Sequence, residues 1–264
     1  MHLTGGFIPV VESVSPASTP FRAAVLIPVY DHEEAIGYTL DQVLQHECPV
    51  LLVDDGSSAN CRARLLELSQ AHAARVSLLR LQVNGGKGAA VKAGLEALMA
   101  QGFSHAIQLD ADGQHEISDL PRFIEASKAN PDSLVSGFPQ YDNVPLLRYY
   151  LRYLTHIWVW INTLSFEIRD TMCGFRVYPL AGISAMLAQE PCGNRMEFDP
   201  EVMVRWSWRG GRVVNLPIRV HYPMDGVSHF NVCKDNLLIT WMHTRLFFGM
   251  LYRLPAILRR RMHG

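Results

Sequence analysis

The sequence predicts an α/β fold: a mostly parallel sheet flanked by helices, with an amphipathic helical tail at the C-terminus. Three observations carry this. Short apolar runs of strand length alternate with segments of helical spacing, and the connections between them are short. That alternation is the mark of parallel strands joined by crossover helices. Polar residues also gather directly after one apolar run after another: Tyr30-Asp31, Asp54-Asp55, Asn84 to Lys87, and Asp110 to Gln114. Open α/β sheets bind ligands beyond the carboxyl ends of their strands, so four such clusters point to one site.

Residues 1–22 mix Ser, Pro, Thr and Gly without periodicity and read as a flexible leader. Ala23–Ile27 is an apolar run stopped by Pro28, a buried-strand pattern. Residues 33–46 place Ile36, Leu40, Val43 and Leu44 at helical spacing. Val50–Val53 is the next strand, residues 60–74 a helix, Val76–Leu81 a strand and Gly88–Met99 a helix after a glycine turn. Ala106–Leu109 is the fourth strand and Leu120–Ala129 another helix. The second half is less regular. Val144–Phe166 is long and aromatic, and Val213–Val220 reads as a strand broken by Pro217. The predicted catalytic domain spans 23–233, and 234–264 forms an apolar helical segment ending in Arg259-Arg260-Arg261. Such a helix with a basic end suits an anionic membrane surface better than it suits an ordinary packed helix with a solvated tail, because apolar residues wrap most of the way round it.

With 264 residues and 48% apolar composition the chain can bury a sizeable core. A net charge of −1 gives no global basic excess and argues against a nucleic-acid partner. Five scattered cysteines without a C-x-x-C pair disfavour a disulfide framework or a zinc knuckle and fit a reducing compartment. The start lacks the basic region and apolar core of a signal peptide, and no apolar run reaches the length of a membrane span. The expected location is cytoplasmic, peripheral on the cytoplasmic face of a membrane.

Asp110 and Asp112 are the sharpest chemical signal. In an extended chain residues i and i+2 point the same way, so both carboxylates suit a hard cation holding a diphosphate. The same residues also suit a solvated turn. Asp54-Asp55-Gly56-Ser57-Ser58 offers a carboxylate to the imide N–H of uracil or guanine, or a capped tight turn. Asn84-Gly85-Gly86-Lys87-Gly88 opens a helix, where backbone amides and a lysine suit a phosphate, although neither P-loop nor dinucleotide spacing is present. Asp199-Pro200 reads either as a helix N-cap followed by Pro or as a catalytic carboxylate. Surface or core roles suit His221, His229 and His243, and packing suits Trp206 and Trp208.

Taken together, these clusters resemble the family 2 glycosyltransferases of the Rossmann-like GT-A fold, and within them the dolichol-phosphate mannosyltransferase-like branch. The resemblance runs from about Ala23 to Phe230. It rests on Ile27-Pro28-Val29-Tyr30, Val53-Asp54-Asp55-Gly56-Ser57, Gly86-Lys87-Gly88, Asp110-Ala111-Asp112-Gly113-Gln114-His115 and Gly174-Phe175-Arg176. It implies that Pro28 and Tyr30 touch the nucleotide and that Asp55 binds its base. Asp110, Asp112 and Gln114 would hold the metal, Mg2+ or Mn2+, and the diphosphate, and Arg148 would meet the acceptor phosphate. Asp31, Lys87, Ala111 and Arg176 join the expected substrate contacts, and Asp112 and Asp199 the catalytic pair. Asp31-His32, Ser136-Gly137-Phe138 and Ser228-His229 depart from the branch's usual residues. Part of its phosphate-gripping set is therefore missing, and either a polyprenyl phosphate or a lipid hydroxyl suits as acceptor. A hydroxyl would need a base, for which Asp199 is the candidate.

The expected reaction is metal-dependent, inverting transfer from a UDP- or GDP-linked sugar to a lipid-type acceptor. One rival is a haloacid-dehalogenase-like phosphatase, although Gln114 stands where that class has Thr or Val and the motif lies mid-chain. The other is a non-catalytic sugar-nucleotide or membrane-binding protein of the same fold.

Overall fold

The computed structural model describes residues 20–140, 146–219 and 232–263. The first half alternates strand and helix: β1 (Ala23–Val29), α1 (Ala35–Leu44), β2 (Val50–Asp55), α2 (Ala59–Ala71), β3 (Val76–Leu81), α3 (Lys87–Ala100), β4 (His105–Gln108), α4 (Leu120–Ala129) and β5 (Leu134–Gln140). The second half holds α5 (Leu146–Thr163), β6 (Arg176–Pro179), α6 (Leu180–Gln189), α7 (Phe198–Trp208), β7 (Val213–Arg219) and α8 (Val232–His263).

One seven-stranded sheet has the order β3-β2-β1-β4-β6-β5-β7. Every neighbouring pair is parallel except those of β6, which runs antiparallel to both β4 and β5. This reversal matters for the site. It sets Arg176, the first residue of β6, opposite Gln108, the last of β4. A strand running backwards thus delivers its start to the edge where the parallel strands end.

Strand alternation feeds two cores. Ala24 and Leu26 of β1, with Leu51 and Val53 of β2, face α3, α6 and α7 in one layer. Val25, Ile27 and Val29, with Val50 and Leu52, face α1, α2 and α4 in the other. Burial on both faces is what makes these strands read as continuous apolar runs.

Four elements differ from the sequence reading. β7 is not broken at Pro217, which pairs in register with Phe138. β7 is an edge strand, where a missing ladder donor is tolerated. β5, β6 and α6 carry too little local periodicity to stand out in the sequence.

α8 joins the same core rather than hanging free. Ile239, Met242, Leu246, Met250 and Ile257 are buried in the layer that holds α3, α6 and α7. Arg253 and Arg205 both reach Glu190, each at 3.3 Å, tying α8 and α7 to the end of α6. Trp206 and Trp208 are buried in this layer, so packing is their role, and His243 is buried beside them.

Candidate active site

β1 ends at Val29, Tyr30 follows it, and Asp31 comes next in the left-handed region at φ 48. Asp31 is held there by its neighbours: its amide donates to Ser57 Oγ at 3.2 Å, and its carboxylate accepts the Ser58 amide at 2.7 Å. These bonds join the loop after β1 to the loop after β2. Pro28, half-buried in β1, lies in register with Val53.

In the Asp54-Asp55 pair the two carboxylates divide the work. Asp54 is fully buried, pairs with Arg80 and accepts the Ser57 amide at 2.8 Å. Asp55 accepts the amides of Gly85 at 2.9 Å and Gly86 at 2.8 Å, which pins the loop ahead of α3. Burial pushes the Asp55 carboxyl up, and the two amide bonds only partly oppose it. Gly86 has φ +97, and a Cβ there would lie 2.6 Å from Arg195 Cγ, so this turn requires glycine.

The loop aims Lys87, the first residue of α3, into the site. Its Nζ lies 2.7 Å from Asp110 Oδ1 and 2.9 Å from Asp199 Oδ2. Burial alone would lower the ammonium pKa, but these two carboxylates raise it well above the usual lysine range. Asp110 answers in kind. Burial opposes its charge, yet Lys87 and His115 hold it far below the usual carboxylate range. His115 Nε2 stands 3.6 Å from the other oxygen of Asp110. Gly174 closes the third side, because a Cβ there would lie 2.0 Å from Asp110 Oδ2.

β4 stops at Gln108, so Asp110 and Asp112 leave from a turn and not from the extended strand assumed in the sequence reading. Gly113 at φ 70 and a 3.1 Å bond from the Gln114 amide to Asp112 Oδ1 make that turn. Asp112's carboxyl is pushed up, first by burial and then by the Asp110 charge. Two neighbouring carboxylates, whose repulsion His115 and Lys87 only partly offset, suit a hard divalent cation.

Two expected substrate contacts lie in the interior. Arg176 has no exposed surface. Its guanidinium is spent on the Thr171 carbonyl at 2.5 Å, Tyr178 Oη at 3.3 Å, and the Asp199 carbonyl and Oδ1 at 3.0 and 3.1 Å. It shapes the site from beneath. Ala111 is buried and turned into the core, where its carbonyl accepts the Thr39 hydroxyl at 3.2 Å. Asp199 is no N-cap either: Glu197 takes that position, and Asp199 lies inside the first turn of α7 between Lys87 and Arg176. Arg148 falls on α5, but its side chain lies outside the described residues, as do His221 and Ser228-His229.

The sequence missed the continuous polar thread through the site. It runs from Gln108 through Tyr178, Arg176, Asp199 and Lys87 to Asp110 and His115. His115 and Gly174 were legible only as parts of motifs. Nothing local marked Tyr178, whose hydroxyl burial pushes up to about 12. Asp31, Glu33 and Cys61 also bring donor atoms within 4.8 Å of one another. They carry no reading of their own, since Asp31 serves Ser58 and burial keeps the Cys61 thiol protonated.

The profile described as glycosyl transferase family 2 matches residues 24–192. Polyprenol monophosphomannose synthase of Mycolicibacterium smegmatis is 30% identical over 223 residues, covering 78% of this chain and 80% of that protein. Undecaprenyl-phosphate mannosyltransferase of Micrococcus luteus is 26% identical over 246 residues, covering 87% of this chain and all 100% of its own length. Among solved structures, glucosyl-3-phosphoglycerate synthase of Mycobacterium tuberculosis, in complex with Mn2+, UDP-glucose and phosphoglyceric acid, superposes with a TM-score of 0.62. It is 15% identical and covers 88% of this chain and 80% of that one, a likeness of fold. From the profile across most of its length, and from these relatives, the chain belongs to glycosyl transferase family 2, in its dolichol-phosphate mannosyltransferase-like branch, and is a glycosyltransferase of the GT-A fold.

Proposed function

We propose that this glycosyltransferase is metal-dependent and inverting, and moves a sugar from a UDP- or GDP-linked donor to a polyprenyl-phosphate acceptor at a membrane surface. The observation that carries the proposal is the cluster of Asp110, Asp112, Lys87 and Asp55 at the carboxyl edge of the sheet. Asp110, Asp112 and Gln114 would hold Mg2+ or Mn2+, which when bound neutralises charge on the departing diphosphate. The chain's own residues do the rest. Asp55 fixes the loop that starts α3 and is assigned to the base, with Pro28 and Tyr30 assigned to the same nucleotide. Lys87 supplies a cation at the diphosphate, and the amino end of α3 adds backbone dipoles of favourable sign. Arg148 is assigned to the acceptor phosphate.

The state of Asp199 favours an anionic acceptor. One oxygen serves Lys87 and the other Arg176, at 2.9 and 3.1 Å. Both oxygens are thereby engaged, which leaves Asp199 poorly placed to receive a hydroxyl proton. A phosphate acceptor arrives as an anion and needs no base. We therefore assign Asp199 to positioning Lys87 and Arg176, with the lipid hydroxyl as the second reading. The test is transfer of labelled sugar from UDP- and GDP-hexoses into purified polyprenyl phosphate and into the matching polyprenol. Label entering the phosphate alone is the expected result. Label entering the alcohol, lost in Asp199→Asn, would reinstate Asp199 as a base.

Membrane attachment is assigned to α8. No helix of the described residues is long and apolar enough to cross a membrane. α8 nevertheless carries a second apolar face opposite the buried one: Leu237, Trp241, Phe248, Leu251, Tyr252, Leu258 and Met262 are exposed. Their spacing by threes, fours and sevens keeps them on one side of the helix. Its sequence holds Lys234, Arg245, Arg253, Arg259, Arg260 and Arg261 against Asp235 alone, in a chain of net charge −1. An apolar stripe on a basic helix suits an anionic lipid surface.

A further inference from the structure

We propose that Lys87 is a resident counter-cation that occupies the metal carboxylate until the donor arrives, so that the divalent ion is held firmly only together with the nucleoside diphosphate. This rests on the metal-dependent reading above and deepens it, because it makes Lys87 the positioning residue that orders the binding of metal and donor.

The geometry carries the inference. Lys87 Nζ is 2.7 Å from Asp110 Oδ1, the distance of a full charge-assisted hydrogen bond. The second oxygen of Asp110 faces His115 Nε2 at 3.6 Å and lies where a Cβ on residue 174 would stand. Asp110 thus has a basic group facing each oxygen. An incoming cation must displace the ammonium from Oδ1. Lys87 itself has somewhere to stay: Asp199 Oδ2 holds it at 2.9 Å, and Arg176 anchors the other Asp199 oxygen from below. A free divalent ion gains Asp110 but drives Lys87 off one of its two carboxylates in a nearly enclosed site, where losing a charge partner is costly. A nucleoside diphosphate removes that cost, because its phosphate oxygens supply the ammonium with a new anionic partner while they also bind the metal. Lys87 then passes from carboxylate to phosphate as the donor enters. No covalent bond changes in this exchange, and Asp199 serves as the tether that keeps Lys87 in reach throughout.

The two anchors of Lys87 give variants with opposite expected effects. In Lys87→Met the competitor is gone, so Mn2+ alone should bind at least about tenfold more tightly than to the wild type. In Asp199→Asn, displaced Lys87 has no second carboxylate, so Mn2+ alone should bind more weakly than to the wild type. A merely structural role for the two residues would move both variants in one direction. Free Mn2+ is counted by electron paramagnetic resonance during titration of each protein, alone and with saturating UDP or GDP. A thermal melt of each variant establishes folding. Asp110→Asn is the control that should bind no Mn2+ in either state. The wild type should bind Mn2+ weakly alone and at least tenfold more tightly with one of the diphosphates. If wild type and Lys87→Met bind Mn2+ alone equally well, the inference falls and metal dependence stands. Should Lys87→Met not fold, Asp199→Asn decides, and Mn2+ binding to it as tight as to the wild type overturns the inference. If the wild type binds no Mn2+ even with either diphosphate, the metal-dependent reading falls with it.

Discussion

At the scale of single residues, the site is built on close approaches that tolerate no added atoms. Gly174 is the clearest case, since a methyl group there would overlap Asp110 Oδ2 at 2.0 Å. Gly174→Ala should therefore leave the fold melting near the wild-type temperature while costing about ten- to a hundredfold in Mn2+ affinity, the usual range for a residue that orients a metal ligand. Mn2+ titration in the presence of the preferred diphosphate checks this, and unchanged affinity would show that Asp110 has another resting place. His243 tests the core in a different way. It is buried between α5 and α8, with Nδ1 3.2 Å from Asn162 Nδ2, and burial pulls its pKa down to about 4. In the unfolded chain the same ring titrates near about 6.5. As pH falls below that value the unfolded state takes up the proton and the folded state refuses it. Stability is thus full above about pH 6.5 and declines toward pH 4, by up to about 3 kcal/mol. Denaturant melts between pH 7 and 4 check this, and His243→Leu should flatten that part of the profile.

At the scale of elements, α8 has two apolar faces with separate duties. Leu246 is 1% exposed within the core layer, so Leu246→Ala should destabilise the protein by about 2–5 kcal/mol. Trp241 and Phe248 are 60% and 65% exposed on the opposite face. Trp241→Glu with Phe248→Glu should leave the melting temperature within a degree or two and abolish flotation with anionic vesicles. Equal flotation of that variant and the wild type would remove α8 from the membrane. The elements from β1 to α4 were legible because β1, β2 and β4 are buried on both faces and the helices follow at short range. The same logic failed in the second half. β6 is four residues long and antiparallel, so its pairing with β4 and β5 is decided by the sheet and not by its own pattern. Pro217 looked like a strand breaker because a sequence does not state that its strand lies at an edge.

For the whole molecule, the sequence located the site through motifs that follow β1, β2, β3 and β4, because parallel strands deliver their ends to one edge. It did not foresee the thread from Gln108 to His115, which joins residues from four separate stretches of chain through side chains. Arg176 illustrates the difference. As a motif residue it invites a ligand, whereas in three dimensions it is spent on Thr171, Tyr178 and Asp199 and carries the site from below. Asp110, Asp112 and Lys87 remain the center on which the proposed chemistry turns, and ligand-linked stability reads them directly, since a ligand that binds only the folded state raises its stability by mass action. The decisive measurement is the thermal melt of the wild type and of Asp110→Asn with UDP or GDP, each with and without Mn2+. A rise in the wild-type midpoint that requires both Mn2+ and one of the two diphosphates, and that vanishes in Asp110→Asn, is the expected result. No shift with either diphosphate, or an equal shift with and without Mn2+, would contradict a metal-dependent nucleotide-sugar site.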